Sequence, residues 1–295
     1  MSENTKNISG GSAVNIQSIR DRLKNIAREN KRILQEVLTV YALERTIYRI
    51  SISRYNGNFT LKGGILLYAM YDKQYPRATA DIDLLADKIN RNEKNIISVF
   101  NEIFSIKAED GIEYDFKSLS TRQITKLDEY NGINIKITAL LGNILIPVAI
   151  DIGFGDVVFP KRKRMTFPAL LNMPAPEIYA YSTESMLAEK FEAIVSLGYA
   201  NSRYKDFYDI YVILKHSKFS ENALKTALEQ TFKKRKTSFD DIAVFEQSFA
   251  ESPERQKGWN AFIKKKRAME PISLSSAVDA IKELFAPIVE KIKNI

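Results

Sequence analysis

Two neighbouring stretches, Phe59-Thr60-Leu61-Lys62-Gly63-Gly64-Ile65 and Arg77-Ala78-Thr79-Ala80-Asp81-Ile82-Asp83-Leu84-Leu85, decide how this chain is read. The Asn56-Gly57-Asn58 turn signal is followed by four residues, 59–62, that suit a short strand. Gly63-Gly64 breaks that strand, and Ile65 to Tyr71 continues as an apolar helix. A loop through Pro76, Arg77 and Thr79 leads into a second strand, 81–85. Residues two apart on a strand share a face, so the carboxylates of Asp81 and Asp83 can reach one site. Two hard oxygen ligands at that spacing suit Mg²⁺, especially where phosphate oxygens complete the shell. A glycine turn that opens a helix presents backbone N–H groups to an anion. Each feature also has a plain reading, an acidic pair at a strand end and an ordinary strand-to-helix turn.

Upstream, residues from Asn15 to Ser53 have helical periodicity, with Leu23, Ile26, Ile33, Leu34, Val37, Leu38 and Tyr41 at three- and four-residue intervals. They predict two helices. Residues 1–14 are polar at their start, without an apolar signal segment, and read as a disordered leader. Downstream, 90–107 reads as helix, and three strand-like runs follow: Tyr114 to Leu119, Ile133 to Leu141 and Ile144 to Ile152. Gly142-Asn143 is a two-residue hairpin turn. Pro147 cannot donate to a ladder and predicts an edge position or a bulge. Pro168, Pro174 and Pro176 mark a non-helical connection, after which the pattern is helical to the end. The expected organisation is an α/β or α+β domain over 15–166 and a helical domain over 177–295.

Asp151 ends an apolar strand candidate, where a lone charge is costly unless it serves as a metal ligand or base beside the acidic pair. The nearby Gly153 and Gly155 equally allow a solvated strand end. Lys190 falls within an apolar helical stretch, Met186 to Leu197, and needs a partner if it is buried. Its plain alternative is a lysine on the polar face. Further on, Arg203, Asp206 and Asp209 recur at three-residue spacing on one helix face. An internal ladder, Arg203 with Asp206 and Lys205 with Asp209, would explain them equally well.

Composition narrows the chemistry. The 295 residues include no cysteine and a single histidine, which excludes disulfides, thiolate sites, a Cys nucleophile and a three-histidine zinc centre. That histidine, His216, sits at a lysine-rich helix end and reads as solvated. No apolar run is long enough to cross a bilayer, so a soluble, cytoplasmic protein is expected. The net charge is +8, concentrated in Lys161-Arg162-Lys163-Arg164, Lys233-Lys234-Arg235-Lys236 and Lys264-Lys265-Lys266-Arg267. Three such runs favour a polyanionic partner.

Taken in order, Leu61-Lys62-Gly63-Gly64 with Arg77-x-Thr79-x-Asp81-Ile82-Asp83, then Asp151-Ile152-Gly153-Phe154-Gly155-Asp156, then Lys190 and Arg203-x-Lys205-Asp206-x-x-Asp209, resemble the motifs of the AbiEii/AbiGii-type nucleotidyltransferase toxins. The likeness spans roughly residues 59–212. It implies an α+β fold with a polymerase-β-like sheet domain, a helical lead and a helical C-terminal half. The implied reaction is Mg²⁺-dependent transfer of a nucleoside monophosphate from an NTP to an acceptor hydroxyl, with the tRNA 3′ end as acceptor, by the toxin of a toxin–antitoxin or phage-defence pair with a cognate antitoxin as partner. Asp81, Asp83 and Asp151 would hold the metal, with Lys190, Asp206 and Asp209 completing the catalytic set. Lys62, Gly63, Gly64, Arg77, Thr79 and Arg203 would contact the nucleotide. Ile65 stands where many relatives carry Thr or Ser, so a hydroxyl contact to phosphate is lost. Two other readings are a degenerate nucleotide- or RNA-binding protein and an enzyme that nucleotidylates a protein.

Overall fold

The computed structural model describes residues 15–71, 77–126, 130–268 and 270–294, with the side chains of 125, 126, 130 and 131 excepted. The expected leader, residues 1–14, and Pro76 lie outside the described residues. The chain opens with helices α1 (Ile16–Glu29) and α2 (Leu34–Ile52), followed by β1 (Phe59–Lys62), α3 (Gly63–Met70), β2 (Asp81–Ala86) and α4 (Glu93–Ser105). Strands β3 (Ile112–Lys126), β4 (Tyr130–Leu141), β5 (Ile144–Phe154), β6 (Lys163–Thr166) and β7 (Glu177–Ala180) follow. The remainder is helical: α5 (Thr183–Leu197), α6 (Tyr204–His216), α7 (Glu221–Arg235), α8 (Gln247–Glu251), α9 (Pro253–Lys266) and α10 (Leu274–Lys293).

Among the described residues the strands form one mixed seven-stranded sheet in the order β3-β4-β5-β2-β1-β7-β6. The two short terminal strands, β6 and β7, have no strong period-2 signal and were not expected from sequence; β7 is recruited by parallel pairing with β1, and β6 closes that edge. A strand from the start of the 177–295 segment thus extends the sheet. The β4–β5 hairpin turns at Gly142, whose φ of +61° matches the left-handed first position of a two-residue turn. Pro147 pairs in unbroken register with Thr138, so no bulge forms there. It precedes the stretch of β5 that pairs with β2, beginning at Ala149, and that side of the strand is locally an edge. The register shift falls instead in β3, between Asp115 and Ser120.

Helix α2 is buried along nearly its whole length and packs on β5 and β7. Its charged residues are therefore satisfied internally: Arg49 donates to Asp110 at 2.7 and 3.1 Å, and Glu44 accepts from the Leu170 amide at 2.7 Å. Ile33 departs from the helical face expected of it, because it is the exposed cap residue between α1 and α2. In the helical half, Ser182 caps α5, and Met186, Leu187, Phe191 and Ile194 are buried as its periodicity predicts, while Val195 is half-buried. Phe191 stacks on Phe285 of α10 with ring centres 3.9 Å apart. No described helix is long and apolar enough to cross a membrane.

Candidate active site

Strands β1, β2 and β5 lie side by side, with Lys62 opposite Asp83 and Asp83 opposite Asp151. Adjacent strands project registered residues to the same face, so the alternation in β2 and the pairing with β5 bring Asp81, Asp83 and Asp151 together. One carboxylate oxygen of each lies within 4.8 Å of the others. Thr79 donates to Asp81 at 3.2 Å, and Asn134, opposite Asp151 on β4, donates to it at 2.6 Å. Burial pushes the Asp83 carboxyl up to about 6, reinforced by Asp81 and Asp151 and opposed by Lys205 and Lys62. Three carboxylates so close carry more negative charge than their surroundings balance, which is the donor set of a hard divalent cation.

The glycine pair is required by close approach. Gly63 has φ +70°, and a Cβ there would lie 1.8 Å from Asp83 Oδ2. A Cβ on Gly64 would lie 2.9 Å from both Arg77 Nη2 and Thr79 Oγ1. No side chain caps the N-terminus of α3, so its first amides face the site without a side-chain acceptor. Gly63→Ala is expected to keep the fold and lower nucleotide transfer by about 100-fold, since Asp83 must move and a left-handed alanine costs about 1–2 kcal/mol. Initial rates beside a thermal melt check this, and wild-type rates would refute the close-approach argument.

Behind the triad lies a buried ionic network. Arg77 Nε and Nη2 clasp Asp209 at 2.6 and 2.8 Å. Lys190 donates to Asp209 at 2.6 Å and to Asp206 at 3.2 Å, and Arg203 donates to Asp206 at 2.8 Å. Burial alone would raise the Asp209 carboxyl, but Arg77 and Lys190 outweigh it and hold the group well below the usual range. Burial likewise opposes the Lys190 charge, and Asp209 and Asp206 keep it ionised. Half of the ladder readable from sequence forms, Arg203 with Asp206. The other half does not: Asp209 is taken by Arg77 and Lys190, and Lys205 acts instead on Asp83. The Arg77 guanidinium, expected on phosphate, is committed to tethering its loop to α6.

A second network surrounds Lys62, which donates to Asp156 at 2.8 Å and to Glu189 at 3.1 Å. Arg235 bridges Asp156, Glu189 and Glu192 at 3.1, 3.3 and 2.6 Å. Lys62 is thereby a neutralised cation beside the glycine turn. Asn134 and Glu189 were given no role from sequence, while Lys205 was read as a ladder partner of Asp209 and Arg235 as part of a basic run. The polar Asn134 within the apolar alternation Ile133-Ile135-Ile137 was the available signal, but its partner depends on strand register. His216 is exposed, as expected, with its Nε2 at 2.6 Å from Glu270 and its ring edge-on to Tyr71.

Part of this set borders one cavity of about 1100 Å³, with Gly63, Gly64, Asp83 and Asp151 on one wall and Lys190 and Asp206 on another, while Asp81 and Asp209 stand behind its lining. The volume accommodates a nucleotide together with part of a second substrate. Ile65 is fully buried and does not line this cavity, so its missing hydroxyl is not a missing wall of the site.

Fold and site together define a nucleotidyltransferase. The family model of the AbiEii nucleotidyl transferase toxins of type IV toxin–antitoxin systems matches residues 45–285, and the chain belongs to that family. A solved structure from H. pylori, described as a nucleotidyltransferase, superposes with a TM-score of 0.50 at 15% identity, over 87% of this chain and 96% of its own. JHP933 from Helicobacter pylori is also similar, with a TM-score of 0.49 at 15% identity, over 87% and 93% of the two chains. No curated protein matches. The α+β fold agrees with the polymerase-β-like arrangement expected from sequence.

Proposed function

We propose that this enzyme transfers a nucleoside monophosphate from an NTP to a hydroxyl of tRNA, at its 3′ end, as the cytoplasmic toxin of a pair with a cognate antitoxin. The observation that carries this reading is the convergence of Asp81, Asp83 and Asp151 beside the Gly63-Gly64 turn, with Asp83, Asp151 and both glycines lining one cavity. The chemistry takes place on the sheet domain, and the helical half contributes Lys190, Asp206 and Asp209.

Asp81, Asp83 and Asp151 would hold Mg²⁺, which when bound neutralises the triphosphate and favours displacement at the α-phosphorus. The acceptor oxygen forms the new P–O bond as the bond to pyrophosphate breaks. Asp151, steadied by Asn134, is placed to accept the hydroxyl proton unless its lone pairs are taken by the metal. The Gly63-Gly64 turn and the uncapped start of α3 would hold triphosphate oxygens on backbone N–H groups. Lys190, kept charged by Asp206 and Asp209, supplies a fixed cation to the phosphates. Thr79 orients Asp81, and Arg203 and Lys205, also at the cavity wall, would contact the nucleotide.

Incubation with each α-³²P-labelled NTP, Mg²⁺ and total tRNA tests the reading, with Asp83→Ala alongside. Label in tRNA that disappears in the variant is the expected outcome and names the nucleotide. Label only in protein would replace the acceptor, and label equal in the variant would overturn the metal assignment.

A further inference from the structure

We propose that the lysine run ending α9, residues 264–266, together with Lys234 at the end of α7, forms a docking surface for the phosphodiester backbone of a polynucleotide acceptor at the mouth of the active-site cavity. The inference rests on the transferase reading above and adds the surface that positions its second substrate.

Tertiary structure sorts the three basic runs, which look equivalent in sequence. Residues 161–164 belong to the outer edge of the sheet. Arg162 donates to Thr60 Oγ1 at 3.1 Å and to the Gly57 carbonyl at 2.8 Å, and lies over the Tyr179 ring at 4.2 Å. Lysines on an edge strand also guard it against pairing with another chain, which accounts for this run without a ligand. In the second run Arg235 is consumed by the network around Lys62, but Lys234 is exposed and lines the cavity, its Nζ beside Gly155.

The third run is anchored at the opposite end of the same site. The Ala78 amide donates to the Lys266 carbonyl at 3.0 Å, which fastens the end of α9 to the loop between Arg77 and Thr79. Arg267 then turns the chain with φ +49°, and its carbonyl accepts from Arg32 at 3.2 Å. The run is thus held rigidly next to the Asp81 strand. Lys264 and Lys265 are exposed and Lys266 is half-buried. Among the described residues none of Lys234, Lys264, Lys265 and Lys266 has a carboxylate within 4 Å, although most buried cations of this protein are paired. Burial and the neighbouring Arg77, Lys205 and Lys265 charges depress the Lys266 ammonium, and Asp81 opposes them.

A rigid cluster of unbalanced ammonium groups beside a catalytic mouth favours a partner with a regular series of anions, and counterion release drives its binding. A protein partner fits less well. Protein interfaces are built on apolar and aromatic residues and are depleted in lysine. The large exposed apolar residues among those described, Ile33, Ile52, Phe116, Leu145 and Tyr199, lie outside both lysine runs.

The test measures the affinity of labelled total tRNA, with NTP absent, from 50 to 200 mM salt. It compares wild type, Lys264→Glu/Lys265→Glu, Lys234→Glu and the edge control Lys161→Glu/Lys163→Glu. The α9 variant is expected to bind about tenfold or more weakly at low salt, with a log–log salt slope flatter by about two. In transfer assays its KM for tRNA rises while kcat changes little. The Lys234 variant shows a smaller loss, and the edge control behaves as wild type. Unchanged affinity in both cavity-side variants overturns the proposal, as does an equal loss in the edge control. Since binding is read without NTP, absent transfer with intact, α9-dependent tRNA binding would count against the catalytic reading alone. Binding of single-stranded DNA with the same variant dependence would keep the surface and widen the acceptor class.

Discussion

Asp83→Asn is expected to lower nucleotide transfer by about 10³-fold or more while making the cation-free protein more stable at neutral pH. Asp83 is the centre of the carboxylate cluster, with Asp151 opposite it in register and Asp81 two residues away on the same face. Its carboxyl is pushed up to about 6 by burial and by those two neighbours, from an ordinary value of 3.8. Such a group favours the folded state only while protonated. Its contribution is complete below pH 3.8 and is lost as pH rises through 6. Asparagine cannot ionise, so the variant gains on the wild type by up to roughly 3 kcal/mol between pH 4 and pH 7. A divalent cation held by the three carboxylates narrows that gap by stabilising the wild type alone. Thermal melts at pH 4.5 and 7, in EDTA and in MgCl₂, read both effects. A wild type more stable than the variant at pH 7 in EDTA would show that the three carboxylates do not repel one another.

Asp209→Ala is expected to be the most destabilising single change near the site, by about 3–5 kcal/mol. The fully buried carboxylate accepts two bonds from Arg77 and one from Lys190, and its removal leaves the buried Arg77 without that carboxylate and Lys190 with Asp206 alone. The melting temperature should fall on the order of 10 °C. Arg77→Met in the same background should recover part of the loss, because the buried charge left uncompensated is gone. The pH dependence has the opposite sign to that of Asp83. Asp209 is held below its ordinary range by Arg77 and Lys190, so its contribution is present above about pH 4 and is lost as pH falls toward its folded value. The gap between wild type and variant therefore closes in acid. A gap that stays constant from pH 7 to pH 3 would argue against an ionised Asp209. Transfer falls as well, since Lys190 loses the closer of its two anchors.

The local features were legible because local chemistry generates them. Gly63-Gly64 announces a strand that stops and a helix that starts, and the structure adds why both must be glycine: Asp83 crowds the first, Arg77 and Thr79 the second. The β4–β5 hairpin follows from Gly142-Asn143, and the two leading helices follow from their apolar spacing. Strands β6 and β7 were not legible. Four residues each, with little alternation, they become strands only because β1 offers a free edge. Pro147 was read as needing an edge or a bulge, and the strand order supplies the edge by starting β2 two residues further along.

For the site, sequence alone singled out the candidate residues: the spacing of Asp81 and Asp83, the costly Asp151 at a strand end, and the lysine within an apolar helix. These follow from periodicity and from the penalty on unpaired charge, which act over a few residues. Only the tertiary structure decided how charges are shared. Arg77 meets Asp209 across 132 residues of chain, Lys62 is neutralised by Asp156 and Glu189, and of three similar basic runs one lies at a sheet edge, one lines the cavity through Lys234 and Arg235, and one is fastened through the Lys266 carbonyl to Ala78. Ionic partners are chosen by strand order and helix packing, and a charge carries no local mark of the opposite charge it will meet.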